Sequence, residues 1–179
     1  MKGIVFTGFL DMVEETYGLE IADFIIENAN LKSKGVYTSV GTYEFSEMLQ
    51  LVNGLSKHTG LPIDTLLKLY ASYFFELIKE SYPEFLNTYN DPIELLASVE
   101  SHIHIEVLKI YPDAELPTFE VLEKTDDLLI MLYKSSRAMH YFGLGLMEKT
   151  FAHFKTKGSI VIEKINDNAT EVKFIITKI

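Results

Sequence analysis

The chain contains five histidines, His58, His102, His104, His140 and His153. No pair has the HExxH spacing of a zinc protease. His102 and His104 stand two residues apart, so on one helix they point about 200° away from each other and cannot share a metal. Their neighbours at three, four and seven residues separate them. His102 is flanked by Ser98, Glu106 and Lys109, a polar face, whereas His104 is flanked by Ala97, Val107, Leu108 and Tyr111, an apolar one. His104 is therefore expected to point inward. An inward imidazole is either a hydrogen-bonded core histidine or an axial metal or haem ligand, and this pattern alone leaves both open. His140 and His153 lie on the last expected helix and read as surface or interface histidines.

The second chemically suggestive run is Tyr133-Lys134-Ser135-Ser136-Arg137. It follows the apolar Leu128-Leu129-Ile130-Met131, which reads as a strand. Alternation would put Tyr133, Ser135 and Arg137 on one side, spread over roughly 13 Å at ~3.3 Å per residue. Two hydroxyls and a guanidinium are rich in donors and poor in acceptors. They suit a carboxylate or phosphate, to which arginine offers a two-pronged fork. A structural ion pair is the plainer alternative. Arg137 is the only arginine; the other 15 basic residues are lysines. The run also sits where a strand hands over to a helix, near that helix's exposed amides.

These residues must be positioned by a chain of 179 residues, one ordinary domain or two small ones packed together. With 47% apolar and 12% aromatic residues it can bury a core, which excludes a disordered chain. A formal net charge of -10 argues against nucleic acid or an anionic membrane as partner. The absence of cysteine removes disulfides, zinc-thiolate sites, iron–sulfur clusters and cysteine nucleophiles. A metal or cofactor would have to be held by His, carboxylate, Tyr or Met. The opening residues lack the features of a signal peptide and no segment approaches the ~18 apolar residues of a membrane span, so a soluble, cytoplasmic protein is expected. No Ser-His-Asp motif or glycine-rich phosphate loop supports an enzyme.

Helical spacing covers residues 3 to 17, 20 to 29, 43 to 59 and 64 to 81, with Gly18 and Gly60 as stops. Asp91-Pro92 opens a helix expected to run from about 92 to 111. Beyond Pro117, residues 118 to 123 and 127 to 136 read as strands, 138 to 155 as a helix, and 159 to 166 with 171 to 178 as a strand pair turning at Asp167-Asn168. The expected class is α+β, a helical N-terminal part packed on a C-terminal part with a four-stranded antiparallel sheet and helices.

Taken together, the inward His104 and the Tyr133-x-Ser135-x-Arg137 run resemble the haem nitric oxide/oxygen binding (H-NOX) family, related to the sensor domain of soluble guanylate cyclase. Met1-Lys2-Gly3-Ile4-Val5, Ile103-His104-Ile105-Glu106-Val107, Tyr111-Pro112-Asp113-Ala114, Leu116-Pro117 and Gly143-Leu144-Gly145-Leu146 agree with it. The resemblance covers essentially the whole chain, read as a single haem-binding domain. It implies a distal helical subdomain over about 1 to 62, a proximal α+β subdomain over about 63 to 179, and a b-type haem between them. His104 would be the proximal iron ligand. Tyr133, Ser135 and Arg137 would bind the propionates and Pro117 would press on the porphyrin. Val5, Phe9 and Leu146 would line the distal side.

In oxygen-binding members a distal tyrosine stands five residues after the clamp arginine; here that position is Phe142. Tyr141 is adjacent but about 100° away on a helix, and Tyr73 is another candidate hydroxyl. The resemblance thus implies a sensor of nitric oxide, also binding carbon monoxide, that excludes dioxygen. Cleavage of the iron–His104 bond and relaxation of the haem would signal in trans to a histidine kinase, or alternatively a diguanylate cyclase. A non-signalling haem or small-ligand carrier is the alternative. Some members hold zinc through a C-terminal cysteine cluster. This chain ends EVKFIITKI, so zinc is not expected, nor is a nucleic-acid or membrane partner.

Overall fold

Four helices build the first half of the chain in the computed structural model, which describes residues 1–179: α1 Gly3–Tyr17, α2 Leu19–Glu27, α3 Phe45–Thr59 and α4 Ile63–Ser81. Gly18 at φ 93° and Gly60 at φ 72° end α1 and α3 in backbone conformations that glycine adopts without steric cost. The apolar stripes of the four helices meet in one core, made of Phe6, Phe9 and Val13 from α1, Ile25 from α2, Met48, Leu51 and Leu55 from α3, and Leu66 and Tyr70 from α4. Buried Glu47 anchors the connecting segment 31–37 to α3. Its carboxylate accepts from the Ser33 hydroxyl at 2.5 Å and the Tyr37 hydroxyl at 2.7 Å.

After the short helix α5 Glu84–Asn87, Asp91 caps α6 Pro92–Ala97, accepting from the Ile93 amide at 2.8 Å. The single helix expected over about 92 to 111 does not form. α6 ends at Ala97, Val99–Ile103 make a π-helical turn, and α7 His104–Ile110 resumes the α-helix. The Ser98 carbonyl accepts from both the His102 amide at 2.8 Å and the Ile103 amide at 3.4 Å, the widened spacing of such a turn. One extra residue turns the face of α7 by about 100° relative to an uninterrupted helix.

The sheet is four-stranded and antiparallel throughout, in the order β1-β2-β4-β3, with β1 Thr118–Lys124, β2 Leu128–Lys134, β3 Gly158–Lys164 and β4 Glu171–Lys178. A register shift between Val121 and Glu123 marks a bulge in β1. Alternation puts Leu129, Met131 and Tyr133 of β2, with Val172, Phe174 and Ile176 of β4, on the face covered by α8 His140–His153. The outer face carries the cross-strand pair Lys173–Glu163 at 2.7 Å. β2 stops at Lys134, short of the expected 136. The strand pair around Asp167-Asn168 forms, but through the longer loop 165–170, where Ala169 takes φ 53° and the Asn168 side chain accepts from the Thr170 hydroxyl at 2.8 Å.

α4 belongs to both halves. Its first turns supply Leu66 and Tyr70 to the N-terminal core, and Phe75 enters the core under the sheet. It crosses α8 at Gly145, where an added Cβ would lie 2.6 Å from the Ala71 Cβ and 3.1 Å from the Lys68 carbonyl oxygen. Only glycine permits this approach.

Candidate functional site

Between the two cores lies a cavity of about 330 Å³, with 25 hydrophobic residues among the 33 that line it. That volume and an apolar lining with few polar groups are typical of a small-molecule or cofactor site. The start of α1 contributes Val5, α4 contributes Phe74 and Ile78, and α8 contributes Phe142 and Leu146. α7 contributes His104 and Val107, and the segment after it Tyr111, Leu116 and Pro117. Tyr133, Ser135 and Arg137 stand at the end of β2. The structure therefore brings His104, Pro117, Tyr133, Ser135, Arg137, Val5, Phe142 and Leu146 to one cavity.

His104 opens α7, immediately after the π-helical turn, with its side chain only 14% exposed. Its Nδ1 lies 3.2 Å from a carboxylate oxygen of Glu100, which also accepts from the Phe119 amide at 3.0 Å. An ionised carboxylate only accepts, so the proton sits on Nδ1 and Nε2 keeps its lone pair. Burial lowers the His104 pKa and the Glu100 charge opposes that only in part, which keeps the ring neutral near pH 7. A neutral imidazole with its other nitrogen held by a carboxylate is the form in which histidine binds metals.

The donor run is assembled differently from the expected array along one strand. Tyr133 is on β2, buried against Phe119 and Phe174. Burial raises its phenol pKa, while Ser135, the Met139 backbone and the Arg137 charge pull the other way. Ser135 and Arg137 lie beyond the strand in a turn. The Ser135 amide donates to the Thr170 carbonyl at 2.8 Å, its hydroxyl accepts from the Arg137 amide at 3.2 Å, and Ala138 at φ 50° redirects the chain into α8. The Arg137 side chain is 14% exposed. One guanidinium nitrogen donates to the Glu115 carbonyl at 2.6 Å and the other pairs with the Glu115 carboxylate. The plainer alternative, an ion pair, is thus also realised.

Other expectations change. Phe9 does not line the cavity; it is fully buried behind it, edge-on to Tyr70 at 5.3 Å, because Tyr70 fills the space between that turn of α1 and the cavity wall. His140 is not at the surface. It is 5% exposed, its Nδ1 donates to the Ala138 carbonyl at 3.1 Å, and its Nε2 has no partner. His153 is half-buried against Phe75 and Phe154. His102, expected on a wet face, is partly buried with its Nδ1 2.5 Å from the Tyr89 hydroxyl, because the π-helical turn rotates it. His58 is exposed beside Phe24.

Two tyrosine hydroxyls of α4 are committed elsewhere. Tyr70 donates to the Val5 carbonyl at 2.6 Å and Tyr73 to Glu15 at 2.8 Å. Phe142 itself packs on Tyr70 at 5.1 Å and Phe74 at 5.6 Å. On the α7 side, the Tyr82 and Tyr111 hydroxyls lie 3.4 Å apart, and burial together with Tyr82 raises the Tyr111 pKa to about 12. Sequence reasoning missed Glu100, Glu115, Phe74 and Tyr82. The spacing of four between Glu100 and His104 could have revealed the first; nothing local marks Glu115.

A family model described as haem-NO-binding (HNOB) matches residues 2–162. The H-NOX protein of K. algicida, solved in the Fe(II) unliganded state, is 63% identical with a TM-score of 0.97, covering 100% of this chain and 97% of that one. The IWP-051-bound H-NOX of Shewanella woodyi, in the Fe(II)CO ligation state, is 37% identical with a TM-score of 0.85, covering 100% and 95%. Soluble guanylate cyclase gcy-35 of Caenorhabditis elegans is 24% identical over 144 residues, 79% of this chain but 21% of that protein. The chain thus spans about a fifth of that relative's length.

Proposed function

The chain belongs to the haem-NO-binding (H-NOX) family, whose members are haem-binding gas sensors rather than catalysts, and from that premise we propose that it holds a b-type haem on His104 and senses nitric oxide and carbon monoxide while excluding dioxygen. The observation that carries this reading is the largely buried imidazole of His104, with Nδ1 3.2 Å from Glu100, on an apolar cavity that also presents Tyr133, Ser135 and Arg137. A haem needs an apolar slot, an axial nitrogen and donors for two carboxylates, and the residues present fit each need.

When bound, the haem would supply an iron able to take up a diatomic gas. His104 offers the Nε2 lone pair. Tyr133 and Ser135 would donate hydroxyl hydrogens to the propionates, and Arg137, steadied by Glu115, would donate guanidinium hydrogens. Pro117 would set a rigid ring against the porphyrin. Val5, Phe142 and Leu146 exclude water and offer no hydrogen-bond donor. Dioxygen, which draws negative charge onto its outer atom, thereby lacks a hydrogen bond of roughly 1.5–3 kcal/mol, whereas nitric oxide does not depend on one.

A haem bound through His104 would tie α7 and the segment bearing Pro117 to the cavity, and loss of that tie would free both to shift. That segment is tied to the N-terminal half by Lys2, whose ammonium meets Asp113 at 2.9 Å and Thr42 at 2.9 Å. A shift there moves one core relative to the other about the α4–α8 crossing, giving a two-state surface that a separate protein can read. The partner class is a histidine kinase, with a diguanylate cyclase as second choice. The test is His104→Gly purified with and without imidazole. Haem binding should be lost without imidazole and restored by it; unchanged haem binding without imidazole would overturn the ligand assignment.

A further inference from the structure

Glu100 stands in the π-helical turn, and one of its carboxylate oxygens is shared by the His104 Nδ1–H at 3.2 Å and the Phe119 amide at 3.0 Å. Two elements that must keep a fixed relation thus meet on one atom. Phe119 lies in β1 two residues beyond Pro117, and its ring flanks that of His104 at 5.9 Å. The carboxylate fixes the tautomer of His104, holds its ring plane and places a full negative charge against the ring nitrogen remote from the ligand position. An imidazole that donates to a carboxylate is a stronger electron donor through its other nitrogen than one that donates to a neutral acceptor.

We propose that Glu100 is a positioning residue that sets the strength of the His104–iron bond, and so the threshold at which a gas on the opposite face can break it. This rests on the reading of His104 as the proximal haem ligand. The Glu100 charge strengthens the bond and favours the ferric state; without it the bond weakens and nitric oxide severs it more completely. The side chain of Glu100 is 45% exposed, so solvent moderates the charge without removing its contact with Nδ1.

The charge and the scaffold can be separated. A glutamine amide oxygen can accept the same two hydrogen bonds, so Glu100→Gln removes the charge and keeps the tie, while Glu100→Ala removes both. Both variants would be loaded with haem as full-length protein and reduced. The readouts are the iron–histidine stretching frequency by resonance Raman and the haem reduction potential. The stretch should fall in Glu100→Gln and fall further in Glu100→Ala. Second-sphere partners of metal-bound histidines change affinity by roughly tenfold or more. A tenfold loss of preference for ferric over ferrous haem appears as a potential about 59 mV higher for a one-electron couple. If Glu100→Gln matches the parent in both readouts while Glu100→Ala does not, Glu100 is only a scaffold and the proposal fails. If both variants match the parent, it fails entirely. A parent protein whose stretch is absent, or that takes up no haem, instead overturns the assignment of His104, so the two failures are distinguishable.

Discussion

Replacing Phe142 with tyrosine tests the account of gas selectivity at one atom. The Phe142 ring lines the cavity and is held between Tyr70 at 5.1 Å and Phe74 at 5.6 Å, with Val5 and Leu146 also on the lining. A phenolic hydroxyl there enters a region where the existing tyrosines are spoken for: Tyr70 by the Val5 carbonyl and Tyr73 by Glu15. With those two hydrogens committed, the new phenol is the tyrosine left to donate to a polarised diatomic ligand. A hydrogen bond to a charge-bearing acceptor contributes roughly 1.5–3 kcal/mol. Since 1.4 kcal/mol is about a factor of ten, dioxygen affinity should rise roughly 10- to 150-fold. Without a ligand the same hydroxyl is buried and unsatisfied, costing about 1–3 kcal/mol of stability. The assay pairs dioxygen titration of the reduced protein with thermal unfolding of the gas-free form. Greater dioxygen affinity together with lower gas-free stability is expected. A variant that unfolds like the parent and gains no dioxygen affinity would refute the reasoning that a missing distal donor excludes dioxygen.

Three other perturbations probe separate parts of the account. Arg137→Lys gives up the two-nitrogen fork now held by Glu115; haem transfer to a scavenging globin should become roughly tenfold faster or more, the equivalent of one charge-assisted hydrogen bond. Gly145→Ala drives a methyl into Ala71 and the Lys68 backbone. Overpacking of this kind costs about 1–3 kcal/mol, and at roughly 2–4 °C per kcal/mol the melting temperature should drop by ~2–12 °C. Glu47 is pushed up by burial but held below the usual carboxylate range by donors from Ser33, Tyr37 and the backbone. Its contribution is therefore full above the ordinary value of 4.5 and fades as pH falls through the lower folded value. Glu47→Gln should flatten the acid limb of a stability–pH profile measured by denaturant unfolding.

Residues with local signals were readable from the sequence. The apolar stripes and the glycines at 18 and 60 define α1, α3 and α4, and alternation in 128–134 and 171–178 identifies the two central strands. Inward His104 followed from its neighbours, although the helix supporting that argument is not continuous. The interruption at Val99–Ile103 carries no glycine or proline to announce it and arises from how Ser98 shares its carbonyl. It rotates His102 against Tyr89 and leaves Glu100 under His104. The turn after β2 was hidden because Ala138 takes a positive φ that its side chain does not advertise. Strand alternation accordingly placed Ser135 and Arg137 on a strand they have already left. Glu115 meets Arg137 across 22 residues, a contact only the folded chain can bring about. Phe9 and His140 were misplaced because both depend on what packs in front of them, Tyr70 in one case and the start of α8 in the other.

The central claim is that His104 holds a haem that answers nitric oxide and not dioxygen. Absorption spectra of the reduced, full-length protein recorded without gas, in air and under nitric oxide test it directly. The account expects a Soret band that shifts under nitric oxide as the His104 bond is lost and forms no stable oxy spectrum in air. A protein that shows no Soret band after haem loading, or one that yields a stable oxy complex, would contradict it.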